Sequence, residues 1–213
     1  MSVAAVAEPD ELLDVYDERG GWLGVKGRAA VHRDGDWHRC FHLWVVSGDA
    51  VLLQRRGRHK ASWPGRLDAT AAGHVGAGES VEEGGAREVL EELGVAYAPG
   101  ELVPLGVRAI TDRSGGMLNR ELQHVFVVAD SRPLERWDGF DRTELDRLVR
   151  VGLPAFSGLV HGAGEERWPA EAWDGERAER VALRRDDLLP ATYLAPLTLV
   201  LERFARGERS LAL

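Results

Sequence analysis

A chain of 213 residues, 44% of them hydrophobic, is long enough to bury one ample core, so a single domain with extensions is expected. It has no apolar run of roughly 18 residues to span a membrane and no basic-then-apolar leader to act as a secretory signal; its single cysteine, Cys40, excludes an internal disulfide and suits a reducing cytoplasm. The formal net charge of −8 disfavours broad attraction to nucleic-acid polymers or anionic membranes, so an anionic substrate would need a local positive site and a metal.

In chain order, the β-rich run 41–46 and the apolar run 50–53 predict two strands joined by a turn at Ser47-Gly48-Asp49. The stretch QRRGRHK over 54–60 follows at a strand end. There Arg55, Arg56 and Lys60 either grip phosphate oxygens or balance nearby acids. Beyond the central segment described next, 102–111 and 121–129 read as two β segments joined by a glycine turn at 112–116. Glu121 opens the second, either aimed at a metal cluster or as a polar edge residue. Residues 145–151 predict a further strand. Residues 152–190 are turn-rich, charged and longer than the usual connection, which predicts an elaborated loop or short-helix insertion, centred on about 152–180. Within it Trp168 and Trp173 form either a base-stacking lid or a plug onto the core. Pro196 opens a terminal helix with Leu197, Val200, Leu201 and Phe204 on one face.

The central segment, 73–95, reads GHVGAGESVEEGGAREVLEELGV. Ser80 and Glu83 make a capping-box pair at a helix start, and Gly94 sits where a left-handed cap would end the helix. Ala86, Val89, Leu90 and Leu93 have the spacing of one buried stripe. At about 100° per residue, Glu88, Glu91 and Glu92 then fall on the opposite face. Carboxylates crowded into one turn weaken a helix by roughly tenths of a kcal/mol per like pair. A solvated acidic face is one reading; a hard divalent cation that removes the repulsion is the other, and the register with Gly73, Glu79 and Arg87 favours the cation.

Gly73, then five residues, Glu79, then seven, Arg87-Glu88, an aliphatic Val89, Glu91-Glu92 and Gly94-Val95 fit G-x5-E-x7-R-E-U-x-E-E-x-G-U without a gap. On these residues the chain resembles the Nudix superfamily. The resemblance implies metal-dependent cleavage of a diphosphate linkage in nucleoside-diphosphate-X compounds or related organic pyrophosphates. It makes Glu88 and Glu92 metal ligands, with Glu91 joining directly or through water, and has Glu79 brace Arg87. A backbone carbonyl at the Gly73 turn would complete the metal shell. Glu144 lies where such hydrolases often keep a carboxylate that helps a metal or activates water.

One branch of the superfamily is especially similar, that of isopentenyl-diphosphate isomerase and its hydrolase-like relatives. The likeness runs through a short strand at 12–17, Gly24, a histidine-containing loop at 31–39, Arg55-Arg56, Lys60, Trp63-Pro64-Gly65 and the AGHV approach at 72–75. In the isomerase two loop histidines and one before the box ligate a metal; the matching residues are His32, His38 and His74. They either do so here or satisfy local hydrogen bonds, His38 by holding a loop carbonyl. Against isomerisation, the stretch matching the catalytic cysteine is Ala69-Thr-Ala-Ala72, Asn119-Arg-Glu121 keeps only the second of a glutamate pair, and the box is intact.

The resemblance therefore implies an α/β/α sandwich with a mixed β-sheet and a C-terminal helical extension. The expected organisation is an N-terminal strand and extension at 1–30, a hydrolase domain at 31–190 and a helix at 191–213. Expected with it are Mg2+ or Mn2+, a small-molecule diphosphate as partner, and room for a homodimer. Water would attack phosphorus with Glu91, Glu121 or Glu144 as base. The rivals are a prenyl-diphosphate isomerase or binder and a non-catalytic nucleotide sensor.

Overall fold

The structure, a computed structural model, describes residues 10–60, 62–98, 100–113, 118–163 and 165–213. The turn expected at 112–116 falls largely outside the described residues, as do most of the residues read as lacking a leader.

The chain opens with an antiparallel hairpin, β1 (Leu12–Tyr16) and β2 (Trp22–Gly27), then a short helix α1 (Arg28–Asp34). The long strand β3 (Trp37–Ser47) turns through Gly48-Asp49 into β4 (Ala50–Arg56), as expected from the turn residues. Thus the histidine stretch expected as a loop is instead the end of one helix, carrying His32, and the start of a strand, carrying His38. Two short strands follow, β5 (Leu67–Asp68) and β6 (Ala71–His74), then the box helix α2 (Val81–Leu93). An antiparallel pair, β7 (Val103–Asp112) and β8 (Asn119–Ala129), precedes β9 (Leu145–Gly152) and helix α3 (Leu153–His161).

Where an elaborated loop or short-helix insertion was expected, the chain builds the short helix α3 and, in place of a loop, a hairpin, β10 (Trp168–Trp173) with β11 (Ala178–Leu183), which extends the sheet beyond β9. The hairpin lies at the sheet edge, so many of its side chains stay in water and its apolar alternation is faint. Both tryptophans plug rather than cover: Trp168 packs over Gly158, and the buried Trp173 donates its indole N–H to the Trp137 carbonyl at 3.1 Å. Helix α4 (Leu194–Ala205) ends the fold with Leu197, Val200, Leu201 and Phe204 buried, as the sequence implied.

The sheet runs β11-β10-β9-β4-β3-β1-β2, with β8 parallel to β3 and every other pairing antiparallel, so it is mixed. Alternation along β3 sorts the layers. Trp44 and Val46 join Val51, Leu53, Val149 and Val151 against α3 and α4. Phe41, Leu43 and Val45 join Leu52 and Leu148 against α2. Helices on both faces make the α/β/α sandwich.

Two details of this architecture place the site. First, β3 pairs with β4 only over Val45–Ser47 and then with β6 over Cys40–Leu43, so the sheet splits between β4 and β6. Second, α2 sits on that split in a rotation different from the expected one. Ser80 and Glu83 form the capping box and Gly94 ends the helix at φ +67°, but Ala86 and Leu90 face solvent, Leu90 at 57% exposure. The buried side is Val81, Gly84, Gly85, Val89, Glu92 and Leu93. The glycines are the reason: a β-carbon at Gly85 would overlap the Phe41 ring, so its absence lets the helix axis approach the sheet along that line. The expected common face of Glu88, Glu91 and Glu92 does not form. Glu92 is turned inward, Glu88 half inward and Glu91 out.

Candidate active site

Arg87 organises the box. Its Nε and Nη2 donate to the two oxygens of Glu79, both at 3.0 Å, in a bidentate pair that holds the Glu79 carboxyl below its usual range. Nη2 also donates to the His74 carbonyl at 3.0 Å, and Nη1 to Glu88 at 2.8 Å and Glu91 at 3.1 Å. Glu79 in turn accepts from the Gly76 amide at 2.8 Å. One guanidinium thus ties the glycine loop, the last residue of β6 and two helix carboxylates into a rigid unit. The brace expected between Glu79 and Arg87 is present.

Glu88 fills the space beside Gly73, where any β-carbon would fall on its carboxyl group. Gly73 lies within β6, opposite Phe41, so its missing side chain admits the glutamate. Glu92, 7% exposed, accepts from the Ala72 amide at 3.0 Å and lies 3.5 Å from the Gln54 amide. Burial, and then Glu88, push its carboxyl up to about 8; burial also raises Glu88, against the pull of Arg87. Two inward carboxyls so disposed are costly without a cation. The Glu91 side chain stands 59% exposed, paired with Arg87.

Opposite this wall stand residues of β4, β5 and their loop. Gln54 and Arg56 share the face of Leu52, toward α2, and Asp68 of β5 faces Gln54. Arg56 pairs with Asp68 at 3.2 Å and donates to the Ser62 carbonyl at 3.2 Å. Lys60 pairs with the Glu144 carboxylate; burial lowers its pKa while Glu92 and Glu88 pull it back up. Arg55 departs from the expectation that groups it with Arg56 and Lys60. One residue along a strand reverses the face, so Arg55 points away from α2, held by the Gly65 carbonyl at 2.9 Å and Asp187 at 3.4 Å. The structure brings Arg56, Lys60, Glu144, Glu88 and Glu92 to one crevice and leaves Arg55 behind the sheet.

A second compartment adjoins the first through Gly73. The rings of His32, His38 and His74 form a triangle with centroids 5.1 to 5.3 Å apart. One ligand atom each from His38, Cys40, His74 and Glu121 lie within 4.8 Å of one another. Strand pairing accounts for this: Glu121 is the register partner of His38 on β8, and His74 that of Cys40 on β6. Burial pushes the Glu121 carboxyl up, but nearby His42 and hydrogen bonds from Gln123 and Asn119 outweigh it and hold it down at about 2. Burial, and then His74, lower His38 to about 4. His38 Nδ1 lies 3.1 Å from the Asp36 carbonyl, which can only accept, so Nδ1 carries the proton and Nε2 presents a lone pair. Among the described residues Nε2 is buried with no hydrogen-bond partner, as are Asn119 Oδ1 and Gln123 Oε1. Holding a carbonyl and offering a ligand nitrogen are therefore compatible, and the orphaned Nε2 and the mixed donor set fit a metal.

Sequence reading missed several members of this site. Arg28 reaches Glu11 at 3.3 Å, and Glu11 reaches His74 at 3.4 Å, from a segment read only as an extension. His42, hydrogen-bonded to Tyr193 at 2.8 Å, draws the α4 side into the compartment. Cys40 lies far upstream of the Ala69-Thr-Ala-Ala72 stretch that matches the isomerase's catalytic cysteine; the signal for its place here is its i, i+2 spacing from His38 on a strand.

A family model described as the NUDIX domain matches residues 36–167. The chain is 34% identical over 196 residues to a protein of Clostridium acetobutylicum named as an uncharacterized Nudix hydrolase, covering 86% of this chain and 92% of that one. It is 36% identical over 124 residues to a Nocardia farcinica protein named isopentenyl-diphosphate Delta-isomerase, covering 57% of this chain and 70% of that one. Among solved structures, a Deinococcus radiodurans protein superposes with a TM-score of 0.55 at 20% identity, covering 72% of this chain and 91% of that chain, a likeness of fold.

Proposed function

The chain belongs to the NUDIX domain family, and from that premise we propose that it is a metal-dependent pyrophosphohydrolase acting on a nucleoside-diphosphate-X compound or similar organic pyrophosphate. The observation that carries this reading is the inward pair Glu88 and Glu92, both with carboxyls raised by burial, facing Lys60 and Arg56 across a split in the sheet.

Glu88 and Glu92, with Glu91 at the mouth, would hold Mg2+ or Mn2+. When bound, the ion neutralises charge on the phosphoryl oxygens and lowers the pKa of an attacking water. Arg87 holds Glu88 in place, and Glu79 fixes Arg87. Arg56 and Lys60 orient the remaining phosphate oxygens, Lys60 by exchanging Glu144 for substrate. Of the three carboxylates, Glu91 suits the task of base best by its place at the mouth, its side chain 59% exposed, whereas Glu121 lies in the histidine compartment bonded to Asn119 and Gln123. The substrate is a small molecule met in the cytoplasm; among the described residues no helix is long and apolar enough to cross a membrane.

The histidine compartment is part of the same proposal. His38, His74 and Glu121, with His32 beside them, would hold a second ion. A thiolate from Cys40 would favour zinc over magnesium there, since sulfur and imidazole suit softer cations.

The test is phosphate and pyrophosphate release across a diphosphate panel with Mg2+ or Mn2+, isopentenyl diphosphate included, beside Glu91→Gln and Glu92→Gln. Metal-dependent turnover that collapses in both variants is expected. Isomerised product without phosphate release would replace the hydrolase by the isomerase, and tight binding without turnover would replace it by a sensor.

A further inference from the structure

Behind the sheet, on the face opposite α2, a cavity of about 210 Å3 opens across β9, β10 and β11 beside the end of β4. Its floor is Val149, Ala172 and Val181, and its walls carry Arg55, Arg58 and Arg147 with Asp146. Arg55 and Arg147 are register partners on β4 and β9, so two like charges stand directly opposite on one face. Such a placement destabilises a sheet unless something bridges it.

The acids nearby do not bridge it. Of the two facing arginines Asp187 reaches Arg55, at 3.4 Å, while Glu179, half exposed on the edge hairpin, reaches Arg147, so neither acid joins the pair among the described residues. Asp146 lies 3.5 Å from Arg147 Nε, close enough for an ion pair and too poorly aimed for a hydrogen bond, so among the described residues that buried Nε–H has no acceptor. Arg58, on the loop after β4, makes no salt bridge among the described residues.

We propose that this cavity binds a compact phosphate monoester, its dianionic head on the guanidiniums of Arg55, Arg58 and Arg147 and its body on the aliphatic floor. Arginine forks match phosphate oxygens bidentately, and a dianion can outbid the single carboxylate of Asp146 where a monoanion cannot. The volume suits a ligand smaller than the drug-sized molecules that fill pockets of ~300–1,000 Å3. The cavity is separate from the crevice, yet Arg58 and Lys60 share the β4–β5 loop, so an occupant here would act on the loop that carries Lys60.

The experiment is calorimetric titration of the full chain with ribose 5-phosphate and with inorganic phosphate, in chelator so that no metal at the box can recruit the anion. Expected is one saturable site for ribose 5-phosphate, tighter than for inorganic phosphate. It should strengthen as pH rises past about 6, where the monoester becomes a dianion, and weaken at least tenfold in Arg58→Ala and in Arg147→Gln. Arg58 is exposed, so its variant keeps the fold, which thermal unfolding checks. Lys60→Ala should bind as the native chain does. No saturable binding, binding unchanged in both arginine variants, or binding lost only in Lys60→Ala would each overturn the proposal. None of these readouts depends on hydrolysis, so failure here and failure of the hydrolase reading are distinguishable.

Discussion

Replacing Glu92 by glutamine should stabilise the metal-free protein while abolishing turnover. Glu92 is buried against β6 with its carboxyl held near 8, against an ordinary 4.5. An acid whose folded pKa is raised keeps its proton in the fold while the unfolded chain releases it. Stability therefore falls as pH rises from about 4.5 to about 8. At about 1.4 kcal/mol per unit, the accumulated loss by pH 7.5 is roughly 4 kcal/mol, and local relaxation reduces it to the order of 2–4 kcal/mol. Glutamine keeps the shape and an oxygen for the Ala72 amide but has no proton to lose. In urea unfolding at pH 7.5 with chelator, Glu92→Gln should be the more stable protein. Its stability should also be the flatter of the two between pH 5 and 8. Saturating Mg2+ should then raise the native protein by about 2.7 kcal/mol at a hundred times its Kd, and the variant by much less. A variant less stable than the native chain in chelator, or two parallel pH profiles, would refute the argument that this carboxyl is stored at a cost for a cation.

Gly73→Ala should lower kcat at least tenfold with a modest loss of stability, because the new β-carbon displaces the Glu88 carboxyl; steady-state kinetics beside urea unfolding separate the two effects. Arg56→Ala and Lys60→Ala should raise KM for a diphosphate substrate at least fivefold, whereas Arg55→Ala should leave kcat and KM within about twofold, since its side chain lies on the other face; equal effects in all three would contradict the strand geometry. Trp63 is the sole non-glycine residue with positive φ among the described residues, at +50°. Trp63→Gly should relieve backbone strain of about 1 kcal/mol and raise the thermal midpoint, unless lost contacts of the ring outweigh it, which Trp63→Ala would show as a fall.

The box itself could be read along the chain because its chemistry is local: Ser80 and Glu83 cap one helix end, Gly94 the other, and Glu79, Glu88 and Glu91 all lie within eight residues of the Arg87 they bind. Strands β3, β4 and β8 were legible for a similar reason, since two-sided burial gives each a dense apolar run. The edge hairpin β10–β11 was not, because an edge strand keeps its polar residues in water and so resembles a loop.

What the sequence determined by itself was thus the inventory: which carboxylates, which arginine, which glycines, and the spacing that makes them a family signature. What only the tertiary structure decided was on which side each one works. Helical periodicity alone put Glu88, Glu91 and Glu92 on one face, opposite the expected buried stripe. Contact between Gly85 and Phe41, far apart in sequence, rotated Glu92 into the interior. Strand alternation sends Arg55 and Arg56 to opposite faces, yet which face meets α2 depends on how β4 pairs with β5 and β9. His32, His38, His74, Cys40 and Glu121 come from four elements, and only the pairing of β3 with β6 and β8, with α1 laid beside them, makes them neighbours. Covalent spacing sets what a single helix or strand can present; burial and register between elements set which of those groups meet.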